Sequence, residues 1–201
     1  DGTNQTRLTN NTAADTFPAW SSDGSRVYFI QSTAEGDRVA QVEVEQPSEE
    51  SELLSIDGRV LTRGSWSSDG RQLLAISSTD GSRGLFIFDL SSGEQSKVYQ
   101  EGGEERFLTV SNFDAIATWG AEREVYFVLY RLGPNWGADN PYDLIQEVWW
   151  SGRDRTELKM LYDFPFPVLS SVAWAPSGGL LLEKYDGLLR TTASDIEPLP
   201  L

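Results

Sequence analysis

A tryptophan returns four times along this chain, at Trp20, Trp66, Trp119 and Trp174, at intervals of 46, 53 and 55 residues. Each is followed by a short turn: Ser21-Ser22-Asp23-Gly24, Ser67-Ser68-Asp69-Gly70, Gly120-Ala121-Glu122-Arg123, and Ala175-Pro176-Ser177-Gly178. After each turn comes an apolar, β-prone run: Val27-Tyr28-Phe29-Ile30, Leu73-Leu74-Ala75-Ile76, Val125-Tyr126-Phe127-Val128 and Leu180-Leu181-Leu182. Asp-Gly supplies the positive φ that a tight hairpin turn needs, and β-branched and aromatic residues flank it, so each unit opens with a hairpin. A repeat of this length restricts the fold more than any other feature, because one unit cannot bury its own apolar faces.

A third strand is expected in each unit at 39–45, 85–90, 144–150 and 188–192. A more polar fourth is expected at 51–55, 97–100, 156–162 and 196–201, as suits outer edges facing water. No 3.6-residue periodicity survives the Gly, Pro and alternating positions, so no amphipathic helix is expected. The reading is therefore all-β: about four four-stranded antiparallel blades of a β-propeller. One domain spans 1–201, with blades at approximately 11–55, 58–101, 110–162 and 168–201. Residues 1–10 read as the outer strand of a blade whose inner strands are missing. The chain is expected to be a piece of a larger propeller, a four-bladed unit with an overlapping N-terminal strand, or an open arc completed by a partner or a second copy. All four repeat tryptophans are expected to be buried between sheets.

The succession Arg7-Leu8-Thr9, then Pro18-Ala19-Trp20-Ser21-Ser22-Asp23-Gly24, then Val27-Tyr28-Phe29 resembles the TolB-type, WD-related propeller repeat. Blade two repeats it with Trp66-Ser67-Ser68-Asp69-Gly70, whereas blades three and four match it loosely and the Ser-Asp-Gly turn is lost at 120–123. The resemblance implies a propeller. Proteins that share it include periplasmic interaction proteins and the propeller halves of peptidases, so a periplasmic or extracellular location is expected and activity is left open.

Composition excludes several chemistries. The 201 residues hold no His and no Cys, which removes Ser-His-Asp and Cys-His nucleophile systems, disulfides, thiolate metal sites and the commonest transition-metal ligand. No catalytic residue, cofactor or metal is assigned. The Asp-Gly turns are explained as turns, since the alternating acidic ladder of a calcium loop is absent. The sialidase-type Asp box has its Trp downstream of the Gly, the reverse of the order here. With 31 acidic against 16 basic residues and a net charge of -15, a nucleic-acid partner is not expected. No apolar run approaches membrane-spanning length, so no membrane insertion is expected either.

One segment exceeds what a hairpin needs. Residues 131–143 lie between the second and third strands of blade three and combine Gly and Pro with Trp136, Tyr142, Asp139, Asn140 and Asp143. This mixture suits recognition of a protein, peptide or saccharide. Trp136 and Tyr142 are the expected anchors, and Asp139, Asn140 and Asp143 the orienting groups; the plainer alternative is a loop that folds its own Trp onto a blade edge. Trp149-Trp150 continues the third strand, so one ring should enter the inter-blade core and the other should face the opposite side. Glu49-Glu50 and Glu104-Glu105 read as solvated loops. Asn4-Gln5-Thr6 and Asn10-Asn11-Thr12 match the glycosylation acceptor pattern and are expected to be exposed.

The function expected from these residues is non-enzymatic recognition or scaffolding, with a protein partner, the remainder of a larger assembly, or a homo-oligomer. The alternatives are a propeller domain of a larger prolyl-oligopeptidase-like hydrolase and a carbohydrate-binding or carbohydrate-active domain. The last would need paired carboxylates about 5 to 9.5 Å apart.

Overall fold

In the computed structural model the chain is described at residues 3, 5–47, 49–56, 58–60, 65–79, 82–102, 106–107, 117–141, 143–165, 169–175, 177–184, 187–191 and 196–198. Four small antiparallel sheets follow one another as the blades of a β-propeller, and no helix forms among the described residues. Blade one runs β1 (Ala14–Trp20), β2 (Arg26–Ser32), β3 (Asp37–Glu43) and β4 (Glu50–Ile56), paired in that order. In blade two β5 (Arg59–Val60) and β6 (Ser65–Trp66) both pair with β7 (Gln72–Thr79), followed by β8 (Ser82–Asp89) and β9 (Gln95–Gln100). Blade three repeats this, with β10 (Arg106–Phe107) and β11 (Ala117–Trp119) on β12 (Val125–Leu132), then β13 (Leu144–Ser151) and β14 (Leu158–Pro165). Blade four comprises β15 (Leu169–Trp174), β16 (Leu180–Lys184), β17 (Gly187–Thr191) and β18 (Ile196–Pro198).

Alternation along the second strands sends side chains to opposite neighbours, and this builds the core. Leu73 and Ala75 pack with Ile30, Val39 and Ile56 of blade one. Leu74 and Ile76, one residue out of phase, pack with Trp119, Val125, Phe127 and Leu129 of blade three. Val128 and Tyr130 in turn meet Leu169, Val172, Leu180 and Leu182 of blade four. No core cluster among the described residues joins blade four to blade one.

Three of the repeat tryptophans are covered by the blade that precedes them, Trp119 fully and Trp66 and Trp174 in part. Trp66 stacks on Tyr28 of blade one, with ring centroids 4.9 Å apart, and Trp174 stacks on Tyr126 of blade three at 5.3 Å. Trp119 is 7% exposed, packs in the cluster that holds Leu74, and donates its indole N–H to the Ser65 carbonyl at 2.8 Å. Strand pairing puts Leu74 where Tyr28 and Tyr126 stand in their own blades. Trp20 departs from the expectation of burial, being 64% exposed. Its own blade does not cover it, and no other blade among the described residues stacks on it.

A polar clamp accompanies the stacking. Asp37 opens β3 almost fully buried, accepts the Val60 N–H at 2.7 Å and pairs with Arg59 at 2.8 Å, tying blade one to the first strand of blade two. Gln146 holds the corresponding position in β13. It accepts the Leu169 N–H at 2.8 Å and donates to the Leu169 carbonyl at 2.9 Å. Both clamps satisfy backbone groups that would otherwise be buried unpaired.

The turns after the tryptophans depend on one hydroxyl each. Ser21 and Ser67 donate to the Asp23 and Asp69 carboxylates at 2.7 Å, while the same hydroxyls accept the Arg26 and Gln72 N–H groups. Gly24 and Gly70 take φ of 72° and 67°. In blade three Arg123 adopts φ 67° at the corresponding place, and its guanidinium forms an ion pair with Asp69 of blade two. The degenerate turn thus exchanges conformational ease for a contact between blades.

Residues 5–10 lie outside the strands; the Asn10 N–H goes to the Glu50 side chain at 3.1 Å, and Leu8 packs on Phe29, Ala40 and Val42. Glu50 departs from the solvated loop expected, because Asn11 and Gln31 donate to it at 2.8 and 3.0 Å. Asn10 is exposed as expected, whereas Asn4 and Glu104-Glu105 lie outside the described residues.

Replacing Trp119 by Ala is expected to cost about 3 to 5 kcal/mol, as for other buried aromatics, while Trp20→Ser should fall within about 0.5 kcal/mol of wild type. Urea midpoints for the two variants check this; equal losses would mean that Trp20 is covered in solution.

The serine hydroxyls should also govern acid stability. They hold the Asp23 carboxyl down at about 2 and that of Asp69 below its ordinary value. A carboxylate depressed in the folded state contributes stability that is present above its unfolded pKa, about 3.9, and is lost as pH falls through the folded value. Between about pH 5 and about pH 2.5 the wild-type urea midpoint should therefore fall more steeply than that of a Ser21→Ala, Ser67→Ala double variant. Parallel slopes would remove the hydroxyls as the cause.

Candidate functional site

Two features of blade three depart from what the repeat needs, and they lie at opposite ends of its sheet. The first is the long connection after β12. Gly133 N–H donates to the Asp143 carbonyl at 2.7 Å, and the Asp143 carboxylate accepts the Asn135 N–H at 2.5 Å. Trp136 N–H returns to the Gly133 carbonyl, and Gly137 and Asn140 exchange backbone hydrogen bonds in a small bridge. A Cβ at Gly133 would stand 2.5 Å from the Asp143 carboxyl carbon, so a side chain there would displace the carboxylate that holds the loop. The loop is closed at its root and again near its tip. Trp136 is 50% exposed, and Asp139 and Asn140 are exposed beside it.

The base of this loop is anchored in the sheet. Glu147, 1% exposed, accepts from Arg131 at 2.6 Å and from the Trp149 indole at 2.9 Å. The ion pair and the indole satisfy a carboxylate whose burial would otherwise be costly. Of the loop residues singled out from sequence, the structure places Trp136, Asp139 and Asn140 at the surface. Asp143 spends one carboxylate oxygen on holding the loop, and Tyr142 lies outside the described residues.

The second feature was not singled out from sequence. At the other end of the blade a cleft of 320 Å³ opens between blades three and four, lined by Tyr126, Trp150, Lys159, Leu161, Tyr162 and Trp174, with Gly179, Leu180 and Thr191 on the blade-four side. Strand register explains its lining. Tyr126 pairs with Trp150 and Trp150 with Lys159, so the three form one cross-strand row. The register shifts between Val148 and Trp149, and this bulge turns both Leu161 and Tyr162 toward blade four. Trp149 takes the opposite face, packed against the cluster between blades two and three, as the alternation of the doublet required. Burial, and then the nearby Glu124, raises the Tyr126 hydroxyl to about 12, so it is a neutral donor at physiological pH. The Trp doublet was the one sequence signal for this cleft.

Among the described residues no group of three or more Asp, Glu, His or Cys is placed to hold a metal ion, and no helix is long and apolar enough to cross a membrane.

The fold is that of a β-propeller with four blades. No family model matches the chain, and no curated protein sequence matches it. Solved structures do. TolB from Acinetobacter baumannii is 13% identical with a TM-score of 0.57, the match covering 96% of this chain and 45% of that one. An oligogalacturonate lyase in complex with manganese is 14% identical with a TM-score of 0.68, covering 96% and 55%. A prolyl endopeptidase is 16% identical with a TM-score of 0.59, covering 93% and 29%. At these identities the likeness is one of fold, and this chain spans about half or less of the length of each.

If Asp143 pins the loop, Asp143→Ala should speed hydrogen exchange at the Asn135 amide by about tenfold or more with little change in the global unfolding midpoint. Unchanged protection would leave the backbone bridge as the only constraint.

Proposed function

We propose that this chain is a non-enzymatic recognition module, an arc of propeller blades that presents the 133–143 loop to a protein partner. One observation carries the reading: an indole half exposed at the tip of a loop whose two limbs are hydrogen-bonded together. Large aromatic side chains on a constrained loop bury much apolar area for little lost entropy, which makes them effective anchors. Exposed Asp139 and Asn140 beside Trp136 would add polar selectivity at the rim, and Tyr142 would be the second anchor. The absence of His and Cys from the sequence supports a binding role over hydrolysis, since any acid-base chemistry would rest on carboxylates, Lys or Tyr. The TolB likeness is consistent with an extracytoplasmic interaction protein, and we place the chain there.

The test compares proteins retained from an extract of the source organism by wild type, by Trp136→Ala and by Met160→Ala, the last being exposed on the outer strand β14. At least one protein should be retained about tenfold less by Trp136→Ala and equally by Met160→Ala. Identical retention by all three would reject the loop. Saturable turnover of an ester, peptide or glycoside, abolished by one Asp or Glu substitution, would overturn the non-enzymatic assignment.

A further inference from the structure

The cleft between blades three and four contains more than the repeat requires. The cross-strand row that faces the next blade is Tyr28, Gln41 and Ser51 in blade one, and Leu74, Ile87 and Ser96 in blade two. In blade three the same row is Tyr126, Trp150 and Lys159. Blades one and two make their interfaces with Gln41 and Ser51, and with Ile87 and Ser96, at the second and third places, without a ring or a charge there, so the indole and the ammonium of blade three are not needed for stacking. The corresponding space between blades two and three is also of a different kind, being lined by Arg123, Arg153, Asp154 and Arg155 beside Ile87 and Ser96.

From this contrast we infer that the blade three–four cleft binds a small aromatic acid, its ring lodged against Trp150 and Tyr162 and its carboxylate at the rim by Lys159. Three properties select that class. Four of the lining side chains are aromatic, which favours a flat apolar body that can take offset-stacked or edge-to-face contacts. The volume of 320 Å³ suits one or two fused rings and excludes an extended polymer from full enclosure. Among the described residues Lys159 is the only charged one of the lining, in a chain whose net charge is -15. Its ammonium offers an anion a partner and disfavours a cation at that rim, while the Glu124 carboxylate lies by the Tyr126 hydroxyl. The Tyr126 ring is already committed to Trp174, so the free aromatic surface belongs to Trp150 and Tyr162.

The test uses three isosteric probes, 2-naphthoate, 2-naphthylmethanol and 2-naphthylmethylammonium, with methyl β-glucopyranoside as a fourth, followed by ligand-observed NMR on the whole chain. Naphthoate should bind best, the alcohol about tenfold more weakly, and the ammonium and the glycoside more weakly still. Lys159→Glu should weaken naphthoate by about tenfold or more and leave the alcohol unchanged. Lys159 lies on an outer strand and is exposed, and Lys159→Met serves if the glutamate variant fails to fold. Trp136→Ala should leave naphthoate binding intact, which separates this cleft from the loop on the opposite end of the sheet. Failure of naphthoate to bind at millimolar concentration, equal binding of the ammonium, preference for the glycoside, or indifference to both Lys159 variants would each overturn the inference.

Discussion

Everything in this arc depends on a tryptophan being received by the second strand of the blade before it. A four-stranded sheet of this size has two faces to cover and no helix to cover them, so its stability must come from its neighbours. Trp66 on Tyr28, Trp119 beside Leu74 and Trp174 on Tyr126 fix the spacing and rotation of successive sheets with one large side chain each. Aromatic pairs of this kind are worth about 0.5 to 1.5 kcal/mol beyond the area they bury. The Asp37 and Gln146 clamps then fasten the backbone of the following blade at the other end of the same sheets, so the joints of blade one to blade two and of blade three to blade four are held at two levels.

The departures from the repeat are concentrated in blade three. Its first turn has lost the Ser-Asp pair and carries Arg123 in a left-handed conformation, yet that residue reaches back to Asp69 and links two turns that elsewhere are independent. The second-to-third connection is extended and closed on itself, and the cross-strand row contains a Trp and a Lys. These changes sit at the two ends of a blade held on both sides by tryptophan joints.

How much of this was legible in the sequence depends on the range of the interaction concerned. The hairpins were readable because Trp, turn and apolar run are local, and β2, β7, β12 and β16 begin where the turns predict. The opposite facing of Trp149 and Trp150 followed from strand alternation alone. The exposure of Trp20 did not, because burial of a repeat tryptophan is decided by another blade's residues and every repeat looks alike from within. Nor did the cleft: seeing that Tyr126, Trp150 and Lys159 share one row requires the register of two strand pairs, and the bulge that turns both Leu161 and Tyr162 inward leaves no mark in composition.

The direction of the tryptophan joints means that the unit of sequence and the unit of stability are out of phase. Reckoned by strands, Trp66 opens blade two; reckoned by contacts, it completes blade one. The stretch that contains a whole joint begins at the second strand of one sheet and ends at the first strand of the next, from Tyr28 to Trp66 or from Tyr126 to Trp174. Duplication, deletion or grafting of that offset stretch would carry each receiver together with its tryptophan. An exchange cut at the visible sheet boundaries would separate them at both borders. A lineage that gains and loses blades of this type is therefore expected to recombine inside the first hairpin, at the Ser-Asp-Gly turn, rather than in the connections between sheets.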